Sequence, residues 1–196
     1  MFYLVPEENF PNKVVAVLFM IFSVFVFVTE LRIFGWQRFT SGKYKDKGSL
    51  LLLLIVSGVN LLTIWFLGNQ RVGQITPLAC YVGLPIMMVG FFLREWSIRT
   101  LKHLFTPIVS IHKNHELIVE GPYKYVRHPS YTGLLLEFLG AALAAGNILA
   151  FLIVFVLIVP AIFYRIRLEE RVLVERFNSD YLNYQKTTKR LLPFLI

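Results

Sequence analysis

Cysteine is almost missing from this chain. Cys80 stands alone among 196 residues, so no intrachain disulfide can hold the fold, and it reads as a small packing residue. Acidic residues are scarce, 12 against 20 Lys and Arg. Histidines number four, and none sits in an H-x-x-x-H or other metal spacing, which speaks against a bound metal. There is no internal repeat and no low-complexity segment. No G-x-G-x-x-G follows a predicted strand, so a dinucleotide-binding domain of the Rossmann kind is excluded. The N-terminus does not read as a cleaved signal: its first charges are Glu7 and Glu8, and the apolar run behind them is longer than a signal core.

What is abundant is apolar surface. The chain is 56% hydrophobic with a mean hydropathy of +0.62, too apolar for an ordinary soluble domain of this length. Five runs approach the roughly 20 apolar residues that cross a bilayer. They cover about 14–34, 50–67, 78–93, 131–145 and 148–164, the last two parted only by Gly146-Asn147. The expected fold is an all-α integral membrane protein of one domain, with five transmembrane helices and a C-terminal helix. A four-helix count, with 134–164 as one long helix, is disfavoured by the Gly-Asn pair and by the resulting length.

Charge placement orients these helices. With the N-terminus outside, five spans put all Lys and Arg except Lys13 and Arg71 on the cytoplasmic side, as the positive-inside bias requires. The net charge of +8 then reflects membrane topology and anionic headgroups, not nucleic acid. The expected location is the plasma membrane, or the endoplasmic reticulum in a eukaryotic cell, with membrane lipids as partners. The long non-spanning parts, about 94–130 and 165–196, then form one cytoplasmic layer capping the membrane, the expected cofactor region.

Most of the chemistry lies in that layer. Residues 121–133 read GPYKYVRHPSYTG: Arg127, His128, three tyrosines and two prolines between apolar regions. Just upstream, 108–111 and 116–119 read as short extended pieces around a polar turn, with free backbone groups for a ligand. Downstream, Arg165, Arg167, Glu169, Glu170 and Arg171 follow the last span. Arg165 and Glu169, four apart, share a helical face. Glu137, inside the fourth run, is an ionisable group where one is costly. Gly140-x-x-x-Ala144 offers a close-packing face, and Pro85 and Pro160 fall inside helices.

GPYKYVRHPSYTG, followed by R-x-x-x-E-E, F-x-x-x-Y-x-x-Y and L-P-F, resembles the isoprenylcysteine carboxyl methyltransferases and their prokaryotic relatives over about 93–194. The segment Phe105-Thr106-Pro107 with a short turn departs from eukaryotic members and matches prokaryotic ones. The resemblance implies S-adenosylmethionine as cofactor and methyl transfer as reaction. Carried over by position, it implies cofactor contacts at His115, Leu117, Ile118, Tyr123, His128, Pro129, Ser130, Tyr131 and Glu169. It also places family arginines at Arg94 and at Arg165, the latter facing substrate.

The cofactor's chemistry suits these residues. Adenine wants an apolar slot, which Leu117, Ile118 and Tyr123 or Tyr125 can form. The amino-acid end wants a carboxylate and a cation, from Glu169 or Glu170 and from His128 or Arg127. With Arg94, Arg165 and Glu169 as the candidate catalytic set, a carboxylate acceptor needs a cation and no base. An amine acceptor would need a base, from His128, Glu169 or Glu170. Two arginines favour the carboxylate, on a lipid-attached small substrate or a prenylated peptide. The alternatives are a phospholipid amine N-methyltransferase, a sterol-type NADPH reductase, and a non-enzymatic membrane protein.

Overall fold

The structure, a computed structural model, describes residues 17, 20–26, 28–29, 43–44, 47–76, 78–105, 110–111 and 117–192. Five α-helices have full bounds: α1 Ser49–Gly68, α2 Ala79–Leu101, α3 Pro129–Ala144, α4 Ile148–Phe177 and α5 Ser179–Thr187. Ahead of them, the described residues between 17 and 29 are helical, within the first predicted span. Two short 3-10 turns, Lys102–Leu104 and Gly121–Lys124, bracket the stretch between α2 and α3.

Among the described residues, α1 and α4 are the helices long and apolar enough to cross a membrane, with mean hydropathies of 2.5 and 2.6. Their outward faces are apolar too: Leu51, Leu62 and Val156 are each more than 60% exposed. An apolar exterior of that kind belongs to a helix in lipid.

Two helices run on past their apolar spans, and one expectation needs correction. The third span, about 78–93, lies in a helix that runs to Leu101; the fifth, about 148–164, lies in one that runs to Phe177, so Arg165 and Glu169 are helical as their shared face required. Hydropathy reports where apolar surface ends, whereas helix continues wherever backbone bonds and local pairs sustain it. In α2 the extension carries an Arg99–Glu95 pair at 3.2 Å, one turn apart. The fold is also not purely helical. Lys43–Tyr44 (β1) pairs antiparallel with Ser110–Ile111 (β2) in a two-residue ribbon. Ser110 and Ile111 were expected to be extended, but β1 sits 66 residues away and carries no strand periodicity of its own.

The predicted break at Gly146-Asn147 is present. Gly146 takes φ 72°, open to glycine at no steric cost. Asn147, fully buried, caps α4 by accepting from Leu149 N and Ala150 N at 3.0 and 3.1 Å. Its Nδ2 donates to Leu67 O and Val72 O, which ties this turn to the end of α1.

α1 and α4 pack along their length around Leu53, Ile64, Val154, Ile158 and Ile162. α2 and α3 meet along a glycine seam. A Cβ on Gly83 would lie 2.4 Å from Ala144 N, and one on Gly140 2.4 Å from Met87 N. Gly90 and Gly133 meet equally closely a turn or two further along. Small residues let the two backbones touch, and the seam sets Arg94 beside the start of α3.

Candidate functional site

α3 begins at Pro129, whose fixed φ suits the first helical position, and His128 precedes it. That start gathers the polar side chains. Arg94 of α2, buried, donates to Ser130 Oγ at 2.9 Å and Ser130 O at 3.3 Å. Arg165 of α4, 3% exposed, donates through Nε to Tyr131 Oη at 2.7 Å and through an Nη to Ser49 Oγ at 3.0 Å. Tyr131 in turn donates to Glu169 Oε2 at 2.8 Å. The three candidate catalytic residues thus meet at two adjacent residues, Ser130 and Tyr131. Arg165 and Glu169 do share a face of α4, as their spacing required.

The other carboxylate of the pair turns elsewhere. Glu170 Oε1 accepts from Arg127 Nε and an Arg127 Nη at 2.9 and 2.7 Å, and lies 3.4 Å from His128 Nε2. Its Oε2 accepts from Arg190, at 3.0 Å from Nε and 2.9 Å from an Nη. Burial pushes the Glu170 carboxyl up, but the bonds from His128, Arg190 and Arg127 outweigh it and hold the pKa at about 2, against an ordinary 4.5. Arg127 completes its shell on Gln185 O, at 3.3 Å, and on Thr188 O. Both groups, expected to touch the cofactor, are therefore committed to each other and to the tail.

The tail docks through an isolated β-bridge. Val126 bridges Lys189 in parallel, Arg127 N donates to Lys189 O at 2.7 Å, and His128 N to Arg190 O at 3.0 Å. Thr132 Oγ1 donates to Leu191 O at 2.8 Å, and Tyr184 Oη to Tyr123 O. Burial pushes the Tyr123, Tyr181 and Tyr184 hydroxyls up, so all three stay protonated well beyond neutral pH.

Of the remaining expected residues, Tyr123 is buried, Leu117 and Ile118 are half-buried, and Pro129 is fully buried. Tyr125 stands 62% exposed, which leaves Tyr123 as the tyrosine able to line a closed slot. His115 lies outside the described residues. Sequence reasoning missed Ser49, Ser97, whose carbonyl accepts from Tyr123 Oη at 3.5 Å, and Arg190. The one signal for Ser49 was a polar residue at the head of an apolar run.

Fold and site together define a helical membrane protein with a buried polar centre at one end of its bundle, closed by its own tail. Comparison with known proteins narrows this class. Residues 82–175 match the model of the Isoprenylcysteine carboxyl methyltransferase (ICMT) family. The chain is 32% identical over 123 residues to protein-S-isoprenylcysteine O-methyltransferase of Saccharomyces cerevisiae, covering 61% of this chain and 51% of that one. It is 33% identical over 116 residues to the B form of Arabidopsis thaliana, covering 58% of each. The chain thus spans about half the length of these relatives. A solved eukaryotic intramembrane Ras methyltransferase ICMT has a similar fold, with TM-score 0.58 and 23% identity over 77% of this chain and 51% of that one. The family-model match overlaps the part of the chain that carries the motif resemblance and reaches from α2 into α4.

Proposed function

We propose that the chain is an S-adenosylmethionine-dependent methyltransferase acting on the carboxylate of a lipid-attached, prenylcysteine-like acceptor. The observation that carries this is the array Arg94–Ser130 and Arg165–Tyr131–Glu169: two buried guanidiniums and a carboxylate converging on the start of α3. The relatives named above carry the acceptor class.

The donor set fits the cofactor. Leu117, Ile118 and Tyr123 offer an apolar slot for adenine, and Glu169 a carboxylate for the cationic end. His128, whose Nε2 lies 3.4 Å from Glu170 Oε1, is the remaining cation candidate there, since Arg127 is bound more fully, by both Glu170 and the tail. Bound S-adenosylmethionine supplies a methyl group on a sulfonium. Leu117, Ile118, Tyr123 and Glu169 would hold it to offer that methyl to an acceptor carboxylate oxygen, with the thioether as leaving group. No proton moves, so the protein has no base to provide. Arg94 and Arg165 hold the carboxylate in line, and Tyr131 fixes Arg165 and Glu169 relative to each other. The docked tail keeps water out. Arg127 and Glu170 serve by holding that tail.

A lipidated acceptor and a water-soluble donor meet only at an interface. In this reading five helices cross the membrane with the N-terminus outside and the site on the cytoplasmic side, supported by the clustering of basic residues in two loops and the tail. The test is calorimetric titration of the detergent-purified protein with S-adenosylhomocysteine, followed by a turnover assay on a farnesylated cysteine. Saturable binding lost in His128→Ala, with turnover lost in Arg94→Ala/Arg165→Ala while binding persists, is the expected result. Turnover surviving the double substitution overturns the carboxylate clamp; binding of NADPH instead overturns the cofactor.

A further inference from the structure

α4 carries a second polar face. Arg167 and Arg171 follow Arg165 and Glu169 by two residues each, about 200° round the helix, so they face away from the site described above. With Arg190, and with Gln185 of α5, they line a cleft of about 460 Å³. Both are exposed, and neither has a hydrogen-bond or ion-pair partner among the described residues. Glu170 also borders the cleft, but its two oxygens are taken by Arg127 and Arg190; Glu175, at the far rim, has a contact of its own. Two like charges one turn apart repel each other, and of the two carboxylates lining the cleft Glu170 is already bound by Arg127 and Arg190, which leaves Glu175 against three guanidiniums. An anion seated between Arg167 and Arg171 would relieve that repulsion.

The depth of the cleft says which anion. The apolar stretch of α4 ends at Tyr164, so Arg167 lies about 4.5 Å and Arg171 about 10.5 Å further along the axis. The headgroup layer is about 5–7 Å deep on each side of the hydrocarbon. The pair therefore starts within that layer and rises through its outer edge. Two exposed leucines flank the cleft in sequence: Leu182, one turn before Gln185 on α5, 45% exposed, and Leu192, two residues after Arg190, 42% exposed. A guanidinium at phosphate depth, with a second one turn above it, matches the phosphate diester of a lipid headgroup.

We propose that this cleft binds the phosphate of an anionic phospholipid, seating the cytoplasmic end of α4 and the tail on the membrane surface. The inference rests on the reading of α4 as a membrane span and not on the methyl-transfer reading. The test uses the full chain in neutral detergent, titrated in separate arms with short-chain phosphatidylglycerol, short-chain phosphatidylcholine and inorganic phosphate. Arg167→Gln/Arg171→Gln is compared with Lys124→Gln/Lys186→Gln, an equal loss of exposed charge elsewhere; thermal midpoints confirm that both variants fold. Saturable phosphatidylglycerol binding, at least tenfold weaker in the first variant and unchanged in the second, is expected. Equal weakening in both variants reduces the effect to diffuse surface charge and overturns the site. Phosphatidylcholine or inorganic phosphate binding as tightly as phosphatidylglycerol overturns the anionic-lipid assignment, and so does the absence of saturable binding.

Discussion

Glu169 and Glu170 are neighbours in sequence and strangers in space. One residue of helix is about 100° of rotation, enough to send Glu169 to Tyr131 and Glu170 to Arg127 and Arg190. Because the folded Glu170 carboxyl titrates at about 2 and not at 4.5, its contribution is complete above pH 4.5 and is lost as pH falls toward 2. The thermal midpoint of the wild type is expected to drop across that window, and that of Glu170→Gln to lack this component. The same substitution leaves the buried Arg127 guanidinium without its counter-charge, a loss of about 3–5 kcal/mol near neutral pH, readable in denaturant melts and as new protease sensitivity of the tail. Asn60 presents the opposite case. It is fully buried in the apolar span of α1, and neither its Oδ1 nor its Nδ2 has a hydrogen-bond partner among the described residues. Asn60→Leu is expected to stabilise the protein by about 1–3 kcal/mol in thermal melts; a lower midpoint would mean the amide has a polar partner in the assembled protein. Motif spacing made the candidates at this scale legible, from Arg94 to Glu170. It could not tell which of them turn toward Ser130 and Tyr131 and which toward the tail, because that depends on helix phase against partners some 20 to 60 residues away.

At the scale of elements, the α2–α3 seam is the feature most sensitive to a single atom. Gly83 and Gly90 stand seven apart on one helix, Gly133 and Gly140 seven apart on the other, and each lacks room for a methyl group. Gly83→Ala and Gly140→Ala are each expected to cost about 1–3 kcal/mol, seen as a lower thermal midpoint. Under the proposed reading they are also expected to lower turnover on a farnesylated cysteine, since parting the helices moves Arg94 off Ser130. Gly58, with open space around its missing side chain, is the matched control and is expected to tolerate alanine. The Gly140 half of the seam was legible as a small-residue pattern, but its partner was not, because a seam needs two helices and the sequence orders them without pairing them. Hydropathy placed the helix beginnings within about two residues and missed the ends of α2 and α4, where polar residues carry the helix onward. The β1–β2 ribbon had no periodicity to read at all.

For the whole molecule, the first question is sidedness. In a Cys80→Ala background, cysteines at Val72, 72% exposed between α1 and α2, and at the exposed Lys186 of α5 are expected to react with an impermeant maleimide from opposite sides of the membrane. Labelling of both from one side would overturn the five-span arrangement. The class of membrane protein followed from composition alone. The count of spans did not, because α3 has only 16 residues and lies within the bundle against α2 and α4, where neighbouring helices and not lipid set its composition.

The parallel seam between Val126–His128 and Lys189–Arg190 also fixes an order of events during synthesis. The two edges are some 60 residues apart, roughly 3–12 s of translation. Until then Arg127 and Glu170 are made but unsheltered, with α3 and most of α4 between them. The tail's hold on the polar centre is made after the helices it joins, so a chain halted before Thr188 has α3 and α4 but not the contacts of Arg127 with Thr188 and Lys189.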